Sequence, residues 1–193
     1  KFTTEGELLL QIGRRGQSGG NTDTENVRRP AEAFVYQDTN EVFVADGYGN
    51  RRVAIFDADT GEYKRHWGAY GNVPTDDAYT YDPDAELSQQ FGRPVHCATL
   101  SQDGLLYVCD RVNNRIQVFE RDGTFINEFV MAPRTRDFGS AFDVDFSPDP
   151  DQQYLYNIDG MNAKIWVINR SDLSVVNTIG FGGHQAGGFT AAH

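Results

Sequence analysis

One short pattern recurs along this chain and narrows its fold more than any other feature. Asn40-Glu41-Val42-Phe43-Val44-Ala45-Asp46 returns as Gly104-Leu105-Leu106-Tyr107-Val108-Cys109-Asp110 and, more loosely, as Gln153-Tyr154-Leu155-Tyr156-Asn157-Ile158-Asp159. Each is a short apolar run closed by an aspartate, the signature of a buried strand ending at a turn. A further apolar run follows each aspartate, at Asn50 to Phe56, Asn114 to Phe119 and Asn162 to Ile168. Next come hairpin turns rich in Asp, Asn and Gly (Asp57 to Gly61, Glu120 to Gly123, Asn169 to Asp172), each leading into a last strand. With a strand ahead of each aspartate-closed run, the unit has four antiparallel strands, which is a propeller blade. No segment keeps a helical period, so the class is all-β.

The aspartates stand 64 residues apart between 46 and 110, and 49 apart between 110 and 159, against a blade period of roughly 40 to 50. The first interval therefore carries an insertion, Tyr70 to Gln90, where Asp76, Asp77, Asp82, Asp84 and Glu86 alternate with Tyr79 and Tyr81. Its carboxylates lack EF-hand spacing, so a solvated acidic loop is expected rather than a calcium loop or lid. The expected divisions are 1–25 as the end of a preceding blade and a linker, 26–71 as a blade, and 72–90 as the acidic inserted loop. Residues 91–131 and 132–183 are two more blades, and 184–193 is the start of the next. Three blades would leave two unpaired flanks, so further blades are expected to close the ring.

A formal net charge of -11, with no basic run longer than Arg14-Arg15, Arg28-Arg29 or Arg51-Arg52, argues against a nucleic-acid partner. No apolar run approaches the ~20 residues that span a bilayer, so no membrane span is expected. Two cysteines are no disulfide framework, and Cys97 and Cys109 are expected as two buried thiols. Trp67 and Trp166 are expected to pack between blades, and His66 and His184 to lie on the surface.

The stretches Val44-Ala45-Asp46-Gly47-Tyr48-Gly49-Asn50-Arg51-Arg52-Val53 and Asp110-Arg111-Val112-Asn113-Asn114-Arg115-Ile116-Gln117-Val118-Phe119 resemble NHL repeats. Within that group they are similar to the lyase domain of peptidylglycine α-amidating monooxygenases and its bacterial relatives, whose blades carry Val-x-Asp-Gly-Tyr, Ala-Asp-Arg-x-Asn-x-Arg-Ile-Gln and, at their starts, Pro-His. Here Arg93-Pro94-Val95-His96 and Thr190-Ala191-Ala192-His193 hold the blade starts. The resemblance implies an NHL-type propeller, six-bladed when complete, of which this chain covers three blades and parts of two flanking ones. It implies Tyr48 as a base for the substrate hydroxyl, Arg111 as a substrate-holding group, and His96 and His193 as ligands of a zinc ion. A structural calcium ion is a further candidate. A metal-polarised hydroxyl and a guanidinium beside a phenol suit proton abstraction. Val95 separates His96 from Pro94, a one-residue shift that reverses the face of a side chain in an uninterrupted strand.

The expected function is thus a zinc-dependent peptidyl-α-hydroxyglycine amidating lyase or a relative with another substrate, taking a small peptide or small-molecule ligand at the channel mouth. The competing reading is a non-catalytic propeller that presents its rim to a protein partner. The resemblance also favours a secreted or periplasmic setting.

Overall fold

The computed structural model describes residues 1–193 and contains three four-stranded antiparallel sheets. The first is β1 (Glu32–Tyr36), β2 (Glu41–Asp46), β3 (Arg52–Asp57) and β4 (Tyr63–Trp67). The second is β5 (Val95–Leu100), β6 (Leu106–Asp110), β7 (Arg115–Phe119) and β8 (Phe125–Val130). The third is β9 (Asp143–Phe146), β10 (Tyr154–Asp159), β11 (Lys164–Asn169) and β12 (Val175–Ile179). In every sheet the strands lie side by side in chain order, so each is a meander of hairpins, and β5 packs against both β1 and β9. The innermost strands therefore stand together around one axis.

The apolar runs are continuous rather than alternating because each middle strand is covered on both faces. Along β2, Phe43 and Ala45 point into a core shared with Phe91 and with Val95, Leu106, Val108 and Phe119 of the second sheet, while Val44 packs on the opposite side with Ala54 and Phe56. Along β6, Leu106 and Val108 face the first sheet, while Tyr107 and Cys109 face Val144, Phe146 and Leu155 of the third. A strand of period two thus serves two interfaces at once.

The aspartates that close the second strands are buried hubs. Asp46 takes Arg52 Nε at 2.9 Å, Asn50 Nδ2 at 2.7 Å and the Arg28 amide at 2.7 Å. Asp110 repeats this with Arg115 Nε at 2.8 Å, Asn113 Nδ2 at 2.7 Å and the Gly92 amide at 2.8 Å. In the third sheet the arginine is missing, and Trp166 Nε1 donates to Asp159 at 2.8 Å in its place. Trp166 therefore has a hydrogen-bonding role beyond the packing expected of it. The free ends of the arginines collect backbone carbonyls: Arg52 holds those of Asn21, Asp23 and Asn26, and Arg115 those of Ser88 and Gln90.

The insertion lies outside the sheets, but its backbone is strapped down. Buried Arg51 donates to the carbonyls of Thr75 and Asp77, Tyr79 to Asn113 Oδ1, and Tyr81 to the Pro133 carbonyl. At the ends of the chain, Phe2 and Leu8 form one antiparallel bridge where the end of a preceding blade was expected, and β13 (Phe181–Gly182) pairs in parallel with β14 (Gly188–Phe189). His66, expected on the surface, is half-buried and shares a 2.8 Å hydrogen bond with the Tyr63 hydroxyl.

Candidate functional site

Two deviations from regular backbone bring the side chains together. Val95 pairs with Asp110 and Ala98 with Val108, so His96 and Cys97 stand opposite Cys109 alone. This is a β-bulge, and it absorbs the residue that Val95 adds. His96 consequently turns to the channel, where an unbroken strand would have reversed it. The same geometry corrects the expectation of two free thiols: Cys97 and Cys109 are joined by a disulfide, their Cα atoms 4.8 Å apart. Opposition across a ladder places two cysteines within disulfide reach.

The second deviation is Gly47, where a Cβ would fall 1.9 Å from the Val95 carbonyl oxygen. Only a residue without Cβ allows the turn after β2 to press against the start of β5. The Tyr48 and Gly49 amides then donate to the carbonyls of Arg29 and Arg28 at 3.1 and 2.9 Å, and Tyr48 is set beside His96. Gly139 acts similarly: at φ +75° its Cβ would lie 1.9 Å from the Arg111 carbonyl oxygen.

The result is a directional chain of hydrogen bonds. Arg111 Nη1 donates to Tyr48 Oη at 3.3 Å, and Tyr48 Oη lies 2.9 Å from His96 Nε2. His96 Nδ1 lies 2.6 Å from the Phe142 carbonyl oxygen. A carbonyl only accepts, so Nδ1 carries the proton and Nε2 of the neutral ring accepts from Tyr48. Burial first, and then the neighbouring Arg111 and His193, push His96 down to about 4, against the pull of the Phe142 carbonyl. The His193 ring stands 4.9 Å from that of His96, centroid to centroid. All four residues singled out from the sequence thus meet at one end of the channel.

Arg111 is the unusual member. It is 6% exposed, forms no ion pair with a carboxylate, and its Nε has no hydrogen-bond partner. Its guanidinium lies instead over the rings of Phe142, Tyr48 and Phe138 at 4.8, 5.5 and 5.6 Å. An aromatic cage holds the cation while leaving its hydrogen-bonding capacity for another group. Phe138 and Phe142 escaped the sequence reading because they lie in and after an irregular loop rather than in a repeat position. Glu32 and Asp143 stand at the starts of β1 and β9, Glu32 accepting from the Ala98 amide at 2.7 Å, and burial raises both carboxyls. An acid opening an inner strand was their only signal in the sequence.

The histidine pair is a reasonable start on a metal site. His96 is neutral, as zinc requires of an imidazole ligand. No compact group of three His, Cys, Asp or Glu includes the pair; the one such group, Cys97, Cys109 and Asp143, has both sulfurs in the disulfide.

Residues 95–119, from β5 to the end of β7, match the NHL repeat. The chain is an NHL-repeat protein with propeller blades. Peptidyl-glycine alpha-amidating monooxygenase B of Xenopus laevis is 32% identical over 155 residues, 79% of this NHL chain and 15% of that protein. Human NHL repeat-containing protein 3 is 28% identical over 178 residues, 91% of the chain and 43% of that protein. The chain therefore spans less than half the length of either relative. Among solved structures, hydrazine synthase of Kuenenia stuttgartiensis superposes with a TM-score of 0.56 at 16% identity, over 86% of this chain and 40% of that one. U3-55K gives the same score and identity over 84% and 40%. At such identity these two speak for the propeller fold alone.

Proposed function

We propose that the Tyr48–Arg111–His96–His193 cluster is the centre of a peptidyl-α-hydroxyglycine amidating lyase or a relative acting on another amide whose nitrogen carries the hydroxyl-bearing carbon. The observation that carries this reading is Arg111, a caged guanidinium without a carboxylate partner, hydrogen-bonded to a half-exposed phenol. Similarity to the amidating monooxygenases supports it. In the reaction, Tyr48 acts as the phenolate, its own proton having left to solvent, and its Oη takes the proton of the substrate hydroxyl. The C–O bond becomes a carbonyl as the carbon–nitrogen bond breaks, and the electron pair goes to nitrogen. Tyr48 returns the proton there, giving a peptide amide and glyoxylate. Arg111 holds the substrate carboxylate and steadies negative charge on Tyr48 Oη.

Zinc belongs to the proposal, with His96 and His193 as the residues that would hold it. Bound there, it would polarise the substrate hydroxyl and favour loss of its proton. His96 Nε2 has one lone pair, so a ligand role for it leaves Tyr48 with Arg111 as partner. The test is glyoxylate release from an α-hydroxyglycine peptide. Tyr48→Phe is expected to lower turnover roughly 10²- to 10⁴-fold with the fold unchanged, and undiminished turnover would remove Tyr48 from the base role. The competing reading, a binding propeller, draws on the similarity to NHL repeat-containing protein 3 and predicts no glyoxylate from the unaltered chain.

A further inference from the structure

Beside the Tyr48–Arg111 centre lies a cavity of about 780 Å³, walled by the insertion on one side and by loops of the second and third sheets on the other. This volume is in the range of small-ligand pockets. Arg51, Arg93 and Arg136 line it, against Asp76 and Asp137, so it carries a local positive excess in a chain of net charge -11. The arginines in ion pairs are Arg52, Arg65, Arg115, Arg134 and Arg170. Arg93 and Arg136 are exposed and pair with no carboxylate. Asp76 is committed elsewhere, accepting from Asn21 Nδ2 at 2.6 Å and from the Asn21 amide at 3.2 Å. Arg51 is turned to backbone carbonyls; burial first and then the charge of Arg93 lower its pKa, against the pull of Asp76, Asp77 and Asp110.

The walls are fixed rather than loose. Tyr79 and Tyr81 line the cavity with their rings while their hydroxyls are tied to Asn113 and to the Pro133 carbonyl. The cavity also adjoins the centre through neighbours in the chain. Val112 lines it next to Arg111, and Asp137 lines it next to Phe138, whose ring stacks on Arg111.

We propose that this cavity is an anion subsite that takes the Asp or Glu side chain of a peptide substrate, upstream of the residue that reacts at Tyr48. The proposal rests on the peptide-substrate reading above and deepens it by naming the substrate class. Guanidinium groups in a walled cavity favour a carboxylate, with the tyrosine rings covering the adjoining chain.

The test is calorimetric binding of two non-reacting peptides, N-acetyl-Glu-Glu-Phe-Gly and N-acetyl-Gln-Gln-Phe-Gly, to the whole chain. The Glu peptide is expected to bind about tenfold more tightly, with the advantage shrinking as salt is raised. Arg93→Gln with Arg136→Gln, both at exposed positions, is expected to bring the two affinities together while the circular dichroism stays unchanged. Tyr48→Phe is expected to keep the preference, because that residue is not in the cavity. Equal affinities in the unaltered chain, no binding of either peptide, or a preference that survives in the double variant would each overturn the proposal. A preserved preference with no glyoxylate release from any α-hydroxyglycine peptide would leave the subsite standing and remove the lyase reading.

Discussion

His96 joins the hydrogen-bond chain of the cluster through both ring nitrogens. Its imidazole is held neutral by burial and by the nearby Arg111 cation, down to about 4 from an ordinary value near 6.5. The unfolded chain protonates this ring near the ordinary value while the folded chain does not. The stability this group contributes is therefore fully present above about pH 6.5 and is lost as pH falls from there toward 4. A proton NMR titration is expected to place the His96 midpoint near 4, and Arg111→Gln to move it upward by removing a neighbouring positive charge. A midpoint at 6.5 in the unaltered protein would contradict the burial of this ring. His96→Gln is expected to flatten the stability profile between about pH 4 and 6.5, read by denaturant unfolding at stepped pH.

At the scale of single elements, the site depends on backbone irregularity. The bulge in β5 turns His96 inward, and the disulfide from Cys97 to Cys109 spans that bulge. Replacing both cysteines by alanine is expected to lower the melting temperature and to raise the His96 midpoint, because the bulge loses its clamp. An unchanged midpoint would mean that hydrogen bonding alone sets the ring. Gly47 and Gly139 offer a second check. Gly139→Ala adds both a clash with the Arg111 carbonyl and a strained positive φ, and is expected to weaken substrate binding through a displaced Arg111. The aspartate hubs are a different case. Asp46 and Arg52 are both fully buried, and Asp46→Ala leaves a guanidinium without its charge partner. Its expected cost is about 3 to 5 kcal/mol, measurable by urea unfolding.

Across the whole molecule, the sheets cohere through side chains that cross between them. Trp67 at the end of the first sheet lies 6.1 Å from Phe119 of the second, ring centre to ring centre, and Gly123 leaves room for its indole. Trp67→Ala is expected to destabilise the chain by about 3 to 5 kcal/mol and to lower the cooperativity of unfolding, seen as a broader thermal transition. Each blade carries one apolar set toward each neighbour, so loss of an interface frees two sheets at once.

The sequence by itself determined the blades. A strand of continuous apolar residues closed by a buried aspartate is a local pattern with a local cause, and its recurrence announced three copies of one unit. The family motifs around Asp46 and Asp110 also singled out Tyr48 and Arg111, and the blade starts of the resembling family singled out His96 and His193. What only the tertiary structure decided was how those residues combine. The face of His96 hinged on a bulge that appears when β5 pairs with β6, and the disulfide depended on the same register. The cage around Arg111 joins Tyr48 after β2 to Phe138 and Phe142 of the connection between the second and third sheets, and the arginine-lined cavity draws on residues far apart in the chain. Strand identity is written in neighbouring residues, whereas register, close backbone approach and the meeting of loops are fixed by packing between segments that the sequence does not place side by side.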